Sequence, residues 1–197
     1  MQTKAAPPVA LLQGRKTLPL IETYFELNYL KQLFRQGWLR VGVPKERCES
    51  VAEHSLFVAL LGLFIADGFF PEADASKVVR IALLHDLGEA YAGDITPHDG
   101  VDREAKHALE RRAVETILGK LPRGAEYLAL WDEYEHGTSF EARLVRQLDR
   151  LEMGLQACVY EHQGMGDLSQ FFASVEKALE SPELRAVLAE LESLRPG

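Results

Sequence analysis

Ile81-Ala-Leu-Leu-His-Asp-Leu-Gly-Glu-Ala90 is the stretch on which the fold turns. A helix with no polar residue from Ile81 to Leu84 belongs inside a protein. Carrying an imidazole and a carboxylate into that interior is costly unless a charged partner compensates. A bound divalent cation is the natural partner for His85 and Asp86.

Working outward, the apolar spacing predicts helices over 21–36, 50–69, 75–92, 102–121, 125–135, 139–163, 166–180 and 182–194. No segment alternates apolar and polar residues as a half-buried strand does, so the expected class is all-α, a single globular helical domain. Several boundaries carry their own chemistry. Ser50-Val-Ala-Glu53 fits a capping box, which puts His54 on the first turn of a helix. Gly93 and then Pro97 suit a helix stop with Asp94 just beyond it, and Ser181-Pro182 suits an N-cap followed by proline at the first helical position. Residues 1–19 carry Pro7, Pro8, Gly14 and Pro19 with no apolar period and are expected to form an irregular arm, with the domain proper over 20–197.

The 197 residues are enough for one substantial core, and their 47% hydrophobic and 26% charged content is ordinary for a globular protein. A net charge of −8 argues against nucleic acid as the partner, since phosphate-backbone affinity comes from clustered Lys and Arg. A small anionic substrate is compatible with it, because a metal and a few Arg residues reverse the potential inside one pocket. Cys48 and Cys158 show no paired spacing and are expected to be small buried side chains. With no basic-then-apolar leader and no apolar run long enough to span a bilayer, the expectation is a cytoplasmic chain with no membrane partner.

His54 shares the stripe His54, Val58, Leu61, Ile65 and by itself reads as a hydrogen-bonded core histidine ahead of a ligand. His85 and Glu89 are one helical turn apart, as are Asp86 and Glu89, so three ionisable groups converge on an otherwise apolar helix. Asp149 lies in Arg143-Leu-Val-Arg-Gln-Leu-Asp-Arg-Leu-Glu-Met153 and alone would be a solvated partner of Arg146 or Arg150. Together His54, His85, Asp86 and Asp149 form a mixed nitrogen and oxygen set suited to one divalent ion: Co²⁺, Mn²⁺, Fe²⁺, Ni²⁺ or Zn²⁺. Glu89, next to that set and not needed by it, is the first choice for orienting or deprotonating an attacking water, with Asp94 second. His98, His107, His136 and His162 follow no ligand spacing and are expected at the surface, as are Arg40 and Lys45.

Arg35-Gln-Gly-Trp38, Glu49-Ser-Val-Ala-Glu-His-Ser55, Leu84-His-Asp-Leu-Gly-Glu-Ala90 with Gly93-Asp94, and Leu148-Asp-Arg-Leu-Glu152 occur in that order. This succession resembles the HD-domain phosphohydrolases, and more narrowly their 5′-deoxynucleotidase branch. Trp131-Asp-Glu-Tyr-Glu135, Leu151-Glu-Met-Gly-Leu-Gln-Ala157 and Tyr160-Glu161 support the narrower match, which covers roughly 21–162. The family pattern H…HD…D falls on His54, His85-Asp86 and Asp149. Cys48 stands where many relatives carry proline.

The resemblance implies a helical domain with one divalent metal, a small nucleotide substrate, hydrolysis of deoxyribonucleoside 5′-monophosphates, and a homodimer. It also points to Glu89 and Asp94 as catalytic, to Arg35 as a grip on the phosphate and to Trp38 as a contact to the sugar. Two other readings stay open at this stage: an HD site acting on a triphosphate or cyclic nucleotide, and a non-catalytic helical adaptor with a structural metal.

Overall fold

A computed structural model describes residues 1–196. Its α-helices are α1 Pro19–Leu27, α2 Gln36–Arg40, α3 Val51–Phe69, α4 Ala75–Leu84, α5 Glu89–Ala92, α6 Arg103–Leu118, α7 Gly124–His136, α8 Phe140–His162, α9 Ser169–Ala178 and α10 Pro182–Ser193. Among the described residues there is no sheet, only two isolated antiparallel bridges, so the all-α class holds.

The long α8 is the axis of the bundle, with α3, α4, α7, α9 and α10 packed around it. Leu144, Val145, Leu148, Leu151 and Cys158 carry its apolar contacts, yet Asp149 and Glu152 are buried on the same helix. Burying carboxylates on a core helix requires compensation, and the site supplies it.

α3 starts at the capping box: Glu53 N–H donates to Ser50 Oγ at 3.3 Å, and Ser50 N–H donates to Glu53 Oε2 at 2.6 Å. Its buried stripe runs through His54, Val58, Gly62 and Ile65, so Gly62 takes the place expected for Leu61. A valine methyl from Val78 on α4 fills the space where a Gly62 side chain would project, and that close approach locks α3 against α4. One expectation needs correction, because this 19-residue helix is long and apolar enough to cross a membrane by length and composition. Here its inner face is a wall of the core, while its outer face carries Leu56, Phe57, Leu60, Leu63 and Phe64 into solvent.

Two predicted helices are broken. The segment expected as 21–36 ends as α-helix at Leu27, continues as a 3₁₀ turn over Asn28–Lys31 and then extends. Residues 33–35 spend their backbone groups across the fold: Val51 N–H donates to Leu33 O at 3.0 Å and Arg35 N–H to Glu49 O at 3.1 Å. Arg35 therefore stands at the N-cap position of the separate helix α2 and does not end the first one.

The segment expected as 75–92 stops at Leu84. Leu87, Glu89 and Ala90 donate to the carbonyls three residues back, a tightened ladder that leaves the His85 carbonyl free for the Trp131 indole N–H at 3.2 Å. Gly88 permits the turn, since a Cβ there would lie 2.7 Å from Glu110 Cβ. Gly93 ends α5 with φ of +83°, the left-handed region that favours glycine. A small second core of Leu87, Ala90, Val114, Ile117, Leu118 and Trp131 holds this turn in place.

The arm contains a 3₁₀ turn over Pro8–Leu12 before α1 begins at Pro19. Near its start, Thr3 bridges to Leu33 and Lys4 N–H donates to Gln32 O at 2.6 Å. At the other end of the chain Ser181 caps α10 as expected, accepting from Leu184 N–H. Cys48 and Cys158 are buried free thiols.

Candidate functional site

Three elements deliver the four proposed ligands. His54 comes from the first turn of α3, His85 and Asp86 from the turn that follows α4, and Asp149 from the middle of α8. His54 Nε2 lies 3.1 Å from Asp149 Oδ1 and 3.7 Å from Asp86 Oδ2; His85 Nε2 lies 3.2 Å from Asp86 Oδ2. Donor atoms of His54, His85 and Asp149 all fall within 4.8 Å of one another.

The chemistry of this set fits a divalent ion. His85 Nδ1 is 2.7 Å from the Ala82 carbonyl, which fixes the proton on that nitrogen and leaves Nε2 as a lone pair. That Nε2 is buried and has no hydrogen-bond partner among the described residues. His54 Nδ1 is 2.6 Å from Glu152 Oε2, the carboxylate backing that orients a metal-binding imidazole.

Carboxylates dominate the local electrostatics. Burial and Arg35 both push the His54 pKa down, yet hydrogen bonds to Asp149 and Glu152 outweigh them and hold it at about 10. Burial pushes Asp149 up, but the His54 hydrogen bond and Arg150 hold it well below the usual carboxylate range. Carboxylates kept ionised around two imidazoles make a negative pocket suited to a cation.

Glu89 and Asp94 are both buried and lie on either side of Gly93. Glu89 Oε2 has no hydrogen-bond partner among the described residues, and the carboxyl's pKa is pushed well up by burial and then by Asp86 and Asp94, against Arg35 and Lys106. Arg35 Nη1 is 3.3 Å from Asp86 Oδ2 and 3.6 Å from Asp94 Oδ1, so its guanidinium stands between the doublet and Asp94. Beside it opens a cleft of about 160 Å³ lined by Gln36, Arg40, Asp94 and Asp99.

Trp38 is placed differently from its expected role. It is 2% exposed, its indole N–H donates to Glu49 Oε1 at 2.7 Å, and its ring packs against Phe171 and Tyr160. With its ring packed between aromatic neighbours and its polar edge bonded, the side chain is a core wall in this structure.

The sequence reading passed over several neighbours. Glu152 sits one helical turn after Asp149 on the same face of α8, a spacing that pointed to it. Tyr134 O–H donates to Asp149 Oδ2 at 3.3 Å, and its ring centroid is 5.2 Å from that of His85. Glu49 is held up at about 7 by burial and by Glu152. Lys106 Nζ donates to Ile95 O at 3.1 Å and lies 3.4 Å from Glu110, close enough to the doublet to feel Glu89, Asp86 and Asp94. Glu49 opens one of the quoted motifs, whereas nothing in the linear sequence marked Lys106. Of the other histidines, His98, His136 and His162 are exposed, and His107 is half-buried, stacked on Trp131 at 5.4 Å.

A helical bundle that gathers a histidine, a His-Asp doublet and a distant aspartate around one buried point defines the HD-domain class. The HD domain family pattern matches residues 27–187, and the chain belongs to that family. Its relatives narrow the branch to the 5′-deoxynucleotidases. The chain is 37% identical over 195 residues to 5′-deoxynucleotidase HDDC2 of Bos taurus, covering 97% of this chain and 93% of that protein. The protein of the same name from Dictyostelium discoideum is 38% identical over 182 residues, covering 84% and 93%. Among solved structures, PH0347 protein from Pyrococcus horikoshii OT3 superimposes with a TM-score of 0.76 at 33% identity, covering 89% of this chain and 99% of that one.

Proposed function

We propose that this protein hydrolyses deoxyribonucleoside 5′-monophosphates to deoxynucleoside and phosphate. The observation that carries this reading is the pairing of the buried His54, His85 and Asp149 and the half-buried Asp86 beside them with two further buried carboxylates, Glu89 and Asp94, and one guanidinium, Arg35. A purely structural metal site has no use for that surplus. The relatives' name, 5′-deoxynucleotidase, supplies the substrate class.

His54, His85, Asp86 and Asp149 would hold the ion, which when bound polarises a phosphoryl oxygen and makes water a better nucleophile at neutral pH. Arg35 turns its fork to the phosphate and balances its charge. Glu89 takes the proton of the attacking water; burial and like charge make its carboxylate a stronger base than one in solvent. Attack in line breaks the bond from phosphorus to the 5′ oxygen, which leaves as the nucleoside hydroxyl on gaining the proton that Glu89 took from the water. Asp94 is the second carboxylate able to hold that water.

The ion is Mn²⁺, Co²⁺, Fe²⁺, Ni²⁺ or Zn²⁺ by the chemistry of the donors. Two copies pair in this reading through the outer face of α3, where Phe57 and Phe64 are 55% and 63% exposed on one apolar stripe. Phe57→Glu with Phe64→Glu is expected to give monomers by sedimentation, and an unchanged mass would remove that face. A cytoplasmic location belongs to the same reading, supported by two free buried thiols.

The deciding experiment measures phosphate release from a panel of 5′-dNMPs, 5′-NMPs, triphosphates and cyclic nucleotides with Mn²⁺ or Co²⁺. Release from 5′-dNMPs in preference to the rest is expected. No release from any 5′-dNMP with either metal overturns the proposal.

A further inference from the structure

Gln36 joins three parts of the molecule that are far apart in sequence. Its side-chain amide closes a ring with the backbone of Gln2. Gln2 N–H donates to Oε1 at 2.8 Å, and Nε2 donates to Gln2 O at 2.8 Å and to Phe34 O at 2.7 Å. Both amide donors and the amide carbonyl are thereby used. The contact continues the pairing of Thr3 with Leu33, which is flanked in turn by the pairing of Phe34 with Ser50. Residues 2–4, 32–36 and 49–51 thus form one small backbone-paired patch beneath the site.

The main-chain N–H of Gln36 is one of the donors at the start of α2 that no helical carbonyl can satisfy. The preceding residue, Arg35, makes no side-chain cap. Asp94 takes that role from another element: its Oδ2 accepts the Gln36 N–H at 2.5 Å, while its Oδ1 faces Arg35 at 3.6 Å. One buried carboxylate is therefore fixed at both oxygens by two successive residues, and the second of these is itself held by Gln2.

We infer that Gln36 is a positioning residue: its side chain, clamped on the backbone of Gln2, sets the start of α2 so that the main-chain N–H fixes Asp94 beside Arg35. This rests on the reading of Asp94 as a working carboxylate of the site. Residues 2–4 then belong to the site's architecture, although they touch none of the proposed metal ligands.

The test uses the full chain saturated with Mn²⁺ and three substitutions. Gln36→Met keeps the side-chain length and removes the clamp; Gln2→Pro removes one clamp donor without touching residue 36; Asp94→Asn keeps an acceptor for the N–H. Gln36→Met is expected to lower kcat about tenfold with unchanged metal content, as loss of supporting hydrogen bonds around a site does. In the Asp94→Asn background the same change is expected to cost nothing further, because Gln36 acts through Asp94. Independently of activity, amide exchange at residue 36 is expected to speed up about tenfold in both Gln36→Met and Gln2→Pro.

An equal further loss in the Asp94→Asn background, or unchanged exchange at residue 36, overturns the inference. If the unaltered protein releases no phosphate from any 5′-dNMP, the proposed activity fails, and the exchange measurement still decides the clamp. If Gln36→Met does not fold, Gln2→Pro carries the same comparison.

Discussion

His54 Nδ1 lies 2.6 Å from Glu152 Oε2, and both side chains are buried. The contact leaves His54 Nε2 aimed at Asp86 and Asp149, so Glu152 selects the face that the imidazole presents. Glu152→Gln keeps the volume but weakens the charge that backs the ring. Divalent-metal affinity is expected to fall about 10- to 100-fold by titration calorimetry, with the helical content intact. Unchanged affinity would reduce Glu152 to a packing residue.

Trp131 secures the same site from the other side. Its indole N–H donates to the His85 carbonyl at 3.2 Å, a carbonyl that the tightened turn has withdrawn from the helix ladder. Trp131 is 1% exposed and belongs to the small core under Leu87 and Ala90. Trp131→Phe leaves that carbonyl unpaired and a partial void. A loss of about 2–4 kcal/mol in denaturant unfolding is expected, together with weaker metal binding. A substitution that is neutral in both measurements would show that the turn holds without this bond.

The parts of the site that were legible in the sequence are those whose signal is local. The capping box at Ser50 placed His54 on the first turn of α3, and the doublet announced itself as polar residues ending an apolar run. The breaks at Leu27 and Leu84 were not legible, because the apolar spacing runs on through both while the bonds that break the helices are long-range: Leu33 with Val51 in one case, Trp131 with His85 in the other. Asp149 reads as a surface residue until α8 is known to be the axis of the bundle. Trp38 shows the converse, since a motif tryptophan close to Arg35 folded into the core with its indole N–H bonded to Glu49. The clamp between Gln36 and Gln2 has no sequence signature, because it is made by backbone groups of a segment with no apolar period.

Glu110 makes stability pH-dependent. Burial pushes its carboxyl from 4.5 up to about 7, with Asp86 and Glu135 adding to the shift and Lys106 opposing it. The folded protein therefore holds this proton more tightly than the unfolded chain. The stabilisation is full below 4.5 and is lost as pH rises through about 7. The gap is worth at most about 3 kcal/mol. Glu110→Gln has no such proton to lose, so its unfolding free energy is expected to fall less than that of the unaltered protein between pH 5 and pH 8. Denaturant midpoints measured across that range check the sign, and parallel curves would refute it.

Arg35 is the one group whose removal is expected to move metal and substrate in opposite directions. Its guanidinium is 3.3 Å from Asp86 and 3.6 Å from Asp94, so it competes with a cation for the doublet while offering its fork to a phosphate. Arg35→Met leaves the pocket more negative, and divalent-metal affinity is expected to hold or rise. The KM for a 5′-dNMP and the inhibition constant for inorganic phosphate are both expected to rise about 10- to 100-fold, the value of a lost charge-assisted hydrogen bond. Arg35→Lys keeps the charge without the fork and should fall between the two. Weaker metal binding with an unchanged KM would make Arg35 a structural partner of Asp86 and Asp94 and take the phosphate away from it.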